Sequence, residues 1–462
     1  MQQWGENYWE TYSPVVDMLT VRLILAIAHI HKLDSKSIDF VLAFPQAKLD
    51  VDIWMDLPLG MVPDHDEKNR HLYALKLRMS LYGLKQGSFN WFEKLLKSGL
   101  IDREFVPSEI DSCLYYKKGM IVLTYVDDCI IVGEDMREID AFIQSMKNGP
   151  ENFVLTDEGD IDKFLGIEIN HLDDKRFEMS QPFLIERICT LLGLYDNDWG
   201  TVTNPKATPV GKPILLGKDK EGTPRKLQWK YRTDVGMLSY LQGNSRPEIS
   251  MAVHQTAHFC NDPKRSHEQA IVRIGRYLLV TNKRGIIYEP DPTKGLECYV
   301  DADFAGSWSQ ADAQDTDAVL SRAGIVIFYA GCPVYWRSSL LSKICLSTAE
   351  AEYCALPSAL RQIIPLMTMM EEIDKIFPLH VNKPDFFCKV FEDNQSCIKM
   401  AVSPKFTPRT KHIGLKWHHF RSFVGTKIRI NYVHTDLQKA DILTKPLPDE
   451  AFFHLRYMLM GW

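Results

Sequence analysis

The chain has 462 residues, 45% of them hydrophobic and 25% charged, with a net charge of −6. That length accommodates roughly two to four domains of soluble globular composition, and the acidic balance excludes a generic basic nucleic-acid coat. The longest apolar run near the start, Val21 to Ile30, is broken by Arg22 and His29 and is too short to span a bilayer, so no membrane partner is expected. No charged-then-apolar leader opens the chain, and the ten cysteines are scattered without a CxxC pair or a zinc-module spacing. The expectation is an intracellular protein with reduced, mostly buried thiols.

In chain order, residues 13–33 predict a helix with Val15, Leu19, Leu23, Ile27 and Ile30 on one face. Ser37–Val41 is a short strand with Asp39 among apolar neighbours, and Leu57–Asp64 is a turn-rich loop. Residues 81–87 lead into a helix carrying Phe89, Phe92, Leu95 and Leu96. Leu123 to Val132 reads as a β-hairpin with both arms buried and an acidic tip, Asp127-Asp128. Phe164–Ile169 alternates like a strand, residues 199–226 form a Gly/Pro-rich loop or linker, and helical patterns fill 231–280. After a boundary at 291–295 come strands at 296–301, 324–329 and 333–337 and a helix at 347–373. A strand at 388–392, a helix at 394–401, a basic helix at 411–424 and a strand at 428–433 follow. No repeat or low-complexity tract interrupts this order.

The charges are unevenly placed. Residues 296–320 hold Glu297, Asp301, Asp303, Asp312, Asp315 and Asp317 without a Lys or Arg. Residues 405–429 hold Lys405, Arg409, Lys411, Lys416, Arg421, Lys427 and Arg429 without an acid. Metal at one place and phosphate at another would produce this division, and so would two solvated faces. The acidic hairpin tip poses the same choice. Two adjacent carboxylates at the end of an apolar hairpin need a cation or full solvation. Asp39 on a neighbouring strand would complete a set for two Mg²⁺ ions about 3.5–4 Å apart, the arrangement that serves nucleotide transfer.

The local sequences resemble a known family. Tyr125-Val126-Asp127-Asp128 looks like the YxDD box of reverse transcriptases, and Ile38–Phe44 looks like their first catalytic box. With Tyr8–Val16, Leu81–Gln86 and Phe164–Ile167 in the expected order, the set resembles the polymerase of copia-type LTR retrotransposons. The resemblance implies metal ligation by Asp39, Asp127 and Asp128, with Tyr125 in the same box. It implies a steric gate at Phe44 against a ribose 2′-OH, and Gln86 near the incoming nucleotide, with Lys85 and Lys76 as nearby cations. Phe164, Leu165 and Gly166 would belong to the primer grip.

A second constellation follows: Asp301 at a strand end, Glu350 opening a helix, Asp393 at another strand end and Asp441 near a terminal helix. Their surroundings, Tyr299–Gly306, Ser347–Tyr353, Glu392–Gln395 and Ala440–Leu447, resemble the RNase H domain of the same elements. Glu350 matches better than Glu352, which is expected to be solvated or peripheral. Lys411, His412, Lys416 and Arg421 would hold the hybrid backbone. His434 is open between a product-release role and a plain strand-end histidine. Pro357 is expected to kink the Glu350 helix.

The resemblance implies an α+β polymerase palm with partial fingers and thumb, then an RNase H-like α/β domain with a mixed sheet. The expected division is 1–170 for fingers and palm, 171–290 for thumb and connecting region, and 296–462 for RNase H. Relative to the family the chain is expected to lack part of the fingers. Implied cofactors are two Mg²⁺ per site, with Mn²⁺ as an alternative. Implied partners are an RNA template, a DNA primer, an RNA–DNA hybrid and dNTPs, and the family setting is a cytoplasmic particle or the nucleus. The alternative is a catalytically inactive transposon remnant that at most binds nucleic acid. Oligomeric state is left open.

Overall fold

A computed structural model describes residues 2–62, 67–173, 175–194, 204–211, 216–306, 308, 316–377, 379, 387–403 and 419–462. Two compact units emerge, Met1–Ile161 with Glu372–Pro378, and Asp162–Glu371 with Leu379–Trp462. No helix among the described residues is long and apolar enough to cross a membrane.

The first unit begins with α1 (Met18–His31). It starts later than the apolar spacing predicts because the Asp17 side chain accepts the Leu19 N–H and caps the helix there, leaving Val15 exposed. Every residue from Leu19 to Ala28 is buried, so the helix is covered all round. Next come β1 (Asp34–Phe40), α2 (Ala43–Gln46), the hairpin β2 (Lys48–Asp56) and β3 (Ala74–Met79), and α3 (Gly87–Lys94). Then follow β4 (Val106–Pro107), β5 (Leu114–Lys117), β6 (Met120–Tyr125), β7 (Asp128–Gly133), α4 (Met136–Asn148) and β8 (Leu155–Gly159). Six of these strands form one antiparallel sheet in the order β4-β5-β6-β7-β1-β8. Ile38, Phe40, Val122, Cys129 and Ile131 on one face share a core with Trp91 of α3 and with Ile139, Phe142 and Met146 of α4. The arms of the acidic hairpin are buried up to Thr124 and from Cys129 onward, which anchors its tip.

The second unit opens with β9 (Lys163–Phe164), β10 (Ile167–Asp173) and β11 (Arg176–Ser180), which pair with the later β12 (Ile286–Tyr288) in the order β12-β11-β10-β9. The segment expected as one strand at 164–169 is instead a tight hairpin. Leu165 and Gly166 both have positive φ (+52° and +72°), as a two-residue turn demands. Among the described residues, four helices, α5 (Pro182–Leu191), α6 (Tyr231–Asn244), α7 (Ser250–Ala257) and α8 (Arg265–Val280), separate β11 from β12. The expected linker at 199–226 falls partly outside the described residues.

A mixed sheet completes this unit. Its elements are β13 (Leu296–Asp303), α9 (Thr316–Val319), β14 (Arg322–Tyr329), β15 (Cys332–Leu340), α10 (Thr348–Ile373), β16 (Cys388–Glu392), α11 (Gln395–Val402), β17 (Ile428–Tyr432) and α12 (Asp449–Met460). The strand order is β15-β14-β13-β16-β17, antiparallel through β13 and parallel from β13 to β17. α10 runs through both Pro357 and Pro365 as one element, so the proline does not end the helix that carries the acids. Most of the expected basic helix at 411–424, including Lys411, His412 and Lys416, lies outside the described residues, as do Lys405 and Arg409.

Candidate active sites

The first site is built on the hairpin tip. Tyr125 and Asp128 face each other across β6 and β7, leaving Val126 and Asp127 as the turn. Val126 has φ +54°, a conformation that a β-branched residue rarely adopts. Two hydrogen bonds hold it there. The buried Trp91 donates its Nε1–H to the Val126 carbonyl (2.5 Å), and the Phe40 N–H donates to the Asp127 carbonyl (2.8 Å). Asp39 stands opposite Asp128 in the β1–β7 register, so the two side chains share one face. Burial raises the Asp39 carboxyl above its ordinary range, and the Asp127 charge adds to the shift. The triad therefore shares one locality, although it is not among the clusters whose ligand atoms fall within 4.8 Å of one another among the described residues.

Phe44 on α2 is half-buried, with its ring centroid 4.6 Å from that of Tyr82. Burial raises the Tyr82 hydroxyl above its ordinary value, and the charges of Asp127 and Asp39 add to the shift. Lys85 is exposed. Gln86 is placed differently from the expectation: it is 1% exposed and its amide is already used. Its Nε2 donates to the Asn7 carbonyl (2.9 Å) and its Oε1 accepts from Gln2 (2.8 Å), so it ties down the first residues of the chain. In the second unit, Phe164 is buried and the Tyr240 hydroxyl donates to the Leu165 carbonyl (2.7 Å), fixing the turn with Gly166 exposed at its tip.

The acids of the mixed sheet converge more tightly. β13 and β16 are parallel neighbours with Tyr299 beside Phe391, and the same offset carried two residues further sets Asp301 beside Asp393. One oxygen each of Asp301, Glu352 and Asp393 lies within 4.8 Å of the others. Here the expectation of Glu350 is corrected. Two residues along a helix differ by about 200°, so only one of Glu350 and Glu352 can face the sheet. It is Glu352, which is buried and not solvated, while Glu350 turns away to an ion pair with Lys343 (2.6 Å) and a hydrogen bond from the Leu346 N–H (3.1 Å).

Asp441 comes from a 3₁₀ turn, Lys439–Leu443, that packs on β14. Gly324, paired with Asp301 across the sheet, makes that packing possible: a Cβ there would meet the Ala440 carbonyl at 2.8 Å and Thr444 at 2.7 Å. Gly324→Ala is accordingly expected to cost about 1–3 kcal/mol by overpacking, measured as a lowered Tm, and to move Asp441 away from its partners. Lys445 bridges Asp441 (2.9 Å) and Asp301 (3.9 Å). The Thr444 hydroxyl donates to Asp301, and that of Thr435 donates to Asp393 (2.7 Å). Burial and the neighbouring carboxylates raise Glu352 strongly. Burial, then Asp301, pushes Asp441 up to about 8 against the pull of Lys445. Burial works against the Lys445 ammonium, but Asp301 and Asp441 outweigh it and hold it charged.

These shifts carry a sign. Between 3.8 and about 8 the folded chain keeps the Asp441 proton that the unfolded chain has released. Raising pH through that window therefore favours unfolding. In chelator, Tm is expected to fall as pH rises across it, and Mg²⁺ is expected to flatten the slope by compensating the ionised acids; a pH series of melts with and without Mg²⁺ checks this.

Of the cations assigned to hybrid binding, Arg421 is described and turned inward. It is half-buried, donates to the Met400 carbonyl (2.5 Å) and lies 5.4 Å from the Tyr353 ring centroid. His434 is exposed and caps the short turn that follows β17, accepting from the Asp436 N–H (3.3 Å). Sequence reasoning passed over Glu352, Lys445, Gly324, Tyr82 and Trp91. Helical phase was the available signal for Glu352, whereas the others depend on tertiary contacts.

Residues 1–211 match the family model described as reverse transcriptase (RNA-dependent DNA polymerase). The chain is 31% identical to the retrovirus-related Pol polyprotein from transposon RE1 of Arabidopsis thaliana, over 98% of this chain and 29% of that protein. It is 29% identical to the corresponding polyprotein from transposon TNT 1-94 of Nicotiana tabacum, over 98% of this chain and 32% of the relative. The chain thus spans less than a third of the length of these relatives. Among solved structures, LC11-RNase H1 in complex with an RNA/DNA hybrid matches at 18% identity and a TM-score of 0.23, over 34% of this chain and 98% of the other.

Proposed function

We propose that the chain is a member of the copia-type retrotransposon Pol family, on the reverse transcriptase match at residues 1–211 and the likeness to Pol polyproteins, and that it joins DNA synthesis to hydrolysis of RNA in an RNA–DNA hybrid. Residues 1–170 would serve as fingers and palm, 171–290 as thumb and connecting region, and 296–462 as the RNase H domain. The observation that carries the reading is the convergence of Asp301, Glu352 and Asp393 where α10 meets the adjacent strands β13 and β16, with Asp441 beside them.

The donor set fits hard divalent ions. All ligands are carboxylate oxygens, and the buried Oε2 of Glu352 has no hydrogen-bond partner among the described residues. Mg²⁺ or Mn²⁺ held by Asp301, Glu352, Asp393 and Asp441 would neutralise charge at a phosphodiester and polarise a water. The chain's own groups prepare that place. Thr444 and Thr435 orient Asp301 and Asp393, and Lys445 balances the acids from one side. At the other site Asp39, Asp127 and Asp128 would hold the ions that serve nucleotide addition, on a tip fixed by Trp91. Template, primer, hybrid and dNTPs are the partners this chemistry requires.

Phe44, whose ring lies tilted against Tyr82, would crowd a sugar 2′ position. Phe44→Ala is expected to raise ribonucleotide incorporation relative to deoxynucleotide by about tenfold or more, the weight of a lost steric or apolar contact of roughly 1–3 kcal/mol. Primer extension with each nucleotide class measures the ratio, and an unchanged ratio removes the assignment.

The central test is Mg²⁺-dependent cutting of the RNA strand of a hybrid by the full chain, with double-stranded DNA as control, beside primer extension on an RNA template. Specific cutting supports the reading. A cooperatively folded chain that neither cuts nor extends is the inactive remnant.

A further inference from the structure

On the face of α10 turned away from Glu352, a second group of ligand-type side chains comes together. One atom each of Cys345, Glu350 and Cys354 lies within 4.8 Å of the others, and all three residues are buried. Glu350 and Cys354 are four apart on the helix and so share a face, while Cys345 enters from the loop just before it. We propose that Cys345, Glu350 and Cys354 form a cation site separate from the carboxylate clusters, one that takes a soft divalent ion of the Zn²⁺ class.

Three observations support it. The first is donor chemistry. Thiolate sulfur selects zinc-like ions, whereas the acids around Asp301 offer only hard oxygen. The second is spacing. Two sulfurs each about 2.3 Å from a tetrahedral zinc stand about 3.8 Å apart, and the Cys345 and Cys354 sulfurs already lie within 4.8 Å of each other. The third is charge. Two thiolates and the Glu350 carboxylate are offset in full by one divalent ion together with the Lys343 ammonium, which lies 2.6 Å from Glu350. A buried ionic group needs that balance. The Lys343 carbonyl, 3.9 Å from the Cys345 sulfur, and the Leu346 N–H on Glu350 complete the polar surroundings. Three protein ligands leave a fourth position for water. On binding, each thiol gives up its proton to solvent and no electron changes hands. An ion here would tie the 341–347 loop to the first turns of the helix that carries Glu352 on its opposite side.

The test uses the full chain, reduced and stripped with chelator, titrated with Co²⁺ alone. The expected result is a thiolate-to-cobalt charge-transfer absorption that saturates at one ion per chain and is displaced by Zn²⁺. It is expected to disappear in Cys345→Ser and Cys354→Ser and to persist in Cys260→Ser. Glu350→Gln is expected to keep the absorption while weakening binding by about tenfold or more. Oxygen ligands do not produce this absorption, so the carboxylate clusters do not contribute to it. Where a serine variant fails to fold, alkylation mapped on the unaltered chain decides: Zn²⁺ must shield Cys345 and Cys354 and no other cysteine. The proposal is overturned by a cooperatively folded chain without the absorption, by absorption that survives in either serine variant, or by shielding of a different pair. A Cys345–Cys354 disulfide that leaves Co²⁺ binding unchanged also overturns it.

Discussion

Glu352→Gln is expected to lower hybrid cutting by about 100-fold or more, the scale on which a single preorganised electrostatic contact to a transition state acts, whereas Glu350→Gln is expected to leave cutting within about tenfold of the unaltered chain, as loss of an indirect contact does. The two acids are neighbours in one EAEY run and differ in where the helix sends them. Glu352 shares a 4.8 Å cluster with Asp301 and Asp393, and Glu350 is paired with Lys343. Stability should change in the opposite order. Glu352 is buried among like charges, so its neutral amide relieves repulsion and should raise Tm in chelator. Glu350→Gln removes a charged partner from Lys343 and weakens the bond from Leu346, at a cost of about 1–3 kcal/mol. Hybrid-cleavage rates and melts of both variants check the four outcomes together. Loss of cutting in Glu350→Gln with cutting retained in Glu352→Gln would reverse the assignment.

Asp127→Asn is expected to lower primer extension by about 100-fold or more, for the same electrostatic reason, with hybrid cutting unchanged. The Asp127 charge adds to the rise of Asp39, and Asp127 occupies the turn position that Trp91 and Phe40 fix through the backbone. The amide preserves shape and those backbone bonds, so a lost rate reports the missing charge. The Asp39 carboxyl should at the same time fall toward its ordinary range, because one of its two causes has gone. Nucleotide addition assayed beside hybrid cutting on one preparation separates a site effect from misfolding: parallel loss of both activities would mean the chain had come apart. Retention of extension would remove Asp127 from the site.

What the sequence determined by itself was part of the list of elements, the acidic hairpin and most of the mixed sheet among them, and the neighbourhood of each acid. The apolar arms of Met120–Tyr125 and Asp128–Gly133 leave an acidic tip only one place to go, and the apolar runs before the acids set Asp301 late in β13 and Asp393 just after β16. Period and composition are local properties, so a linear reading reaches them. The tertiary structure decided which side chains meet. The sheet fixed the phase of α10 and so selected Glu352 over Glu350, because the two acids lie on opposite sides of the helix and only one side meets Asp301 and Asp393. Gly324 carries no chemistry, and its value exists only where the Ala440 carbonyl comes down upon it. Gln86 shows the same dependence, since the amide that the motif assigns to a nucleotide is taken by Gln2 and Asn7, residues about eighty positions away. Distances between segments far apart in the chain are set by packing and register, and no local pattern encodes them.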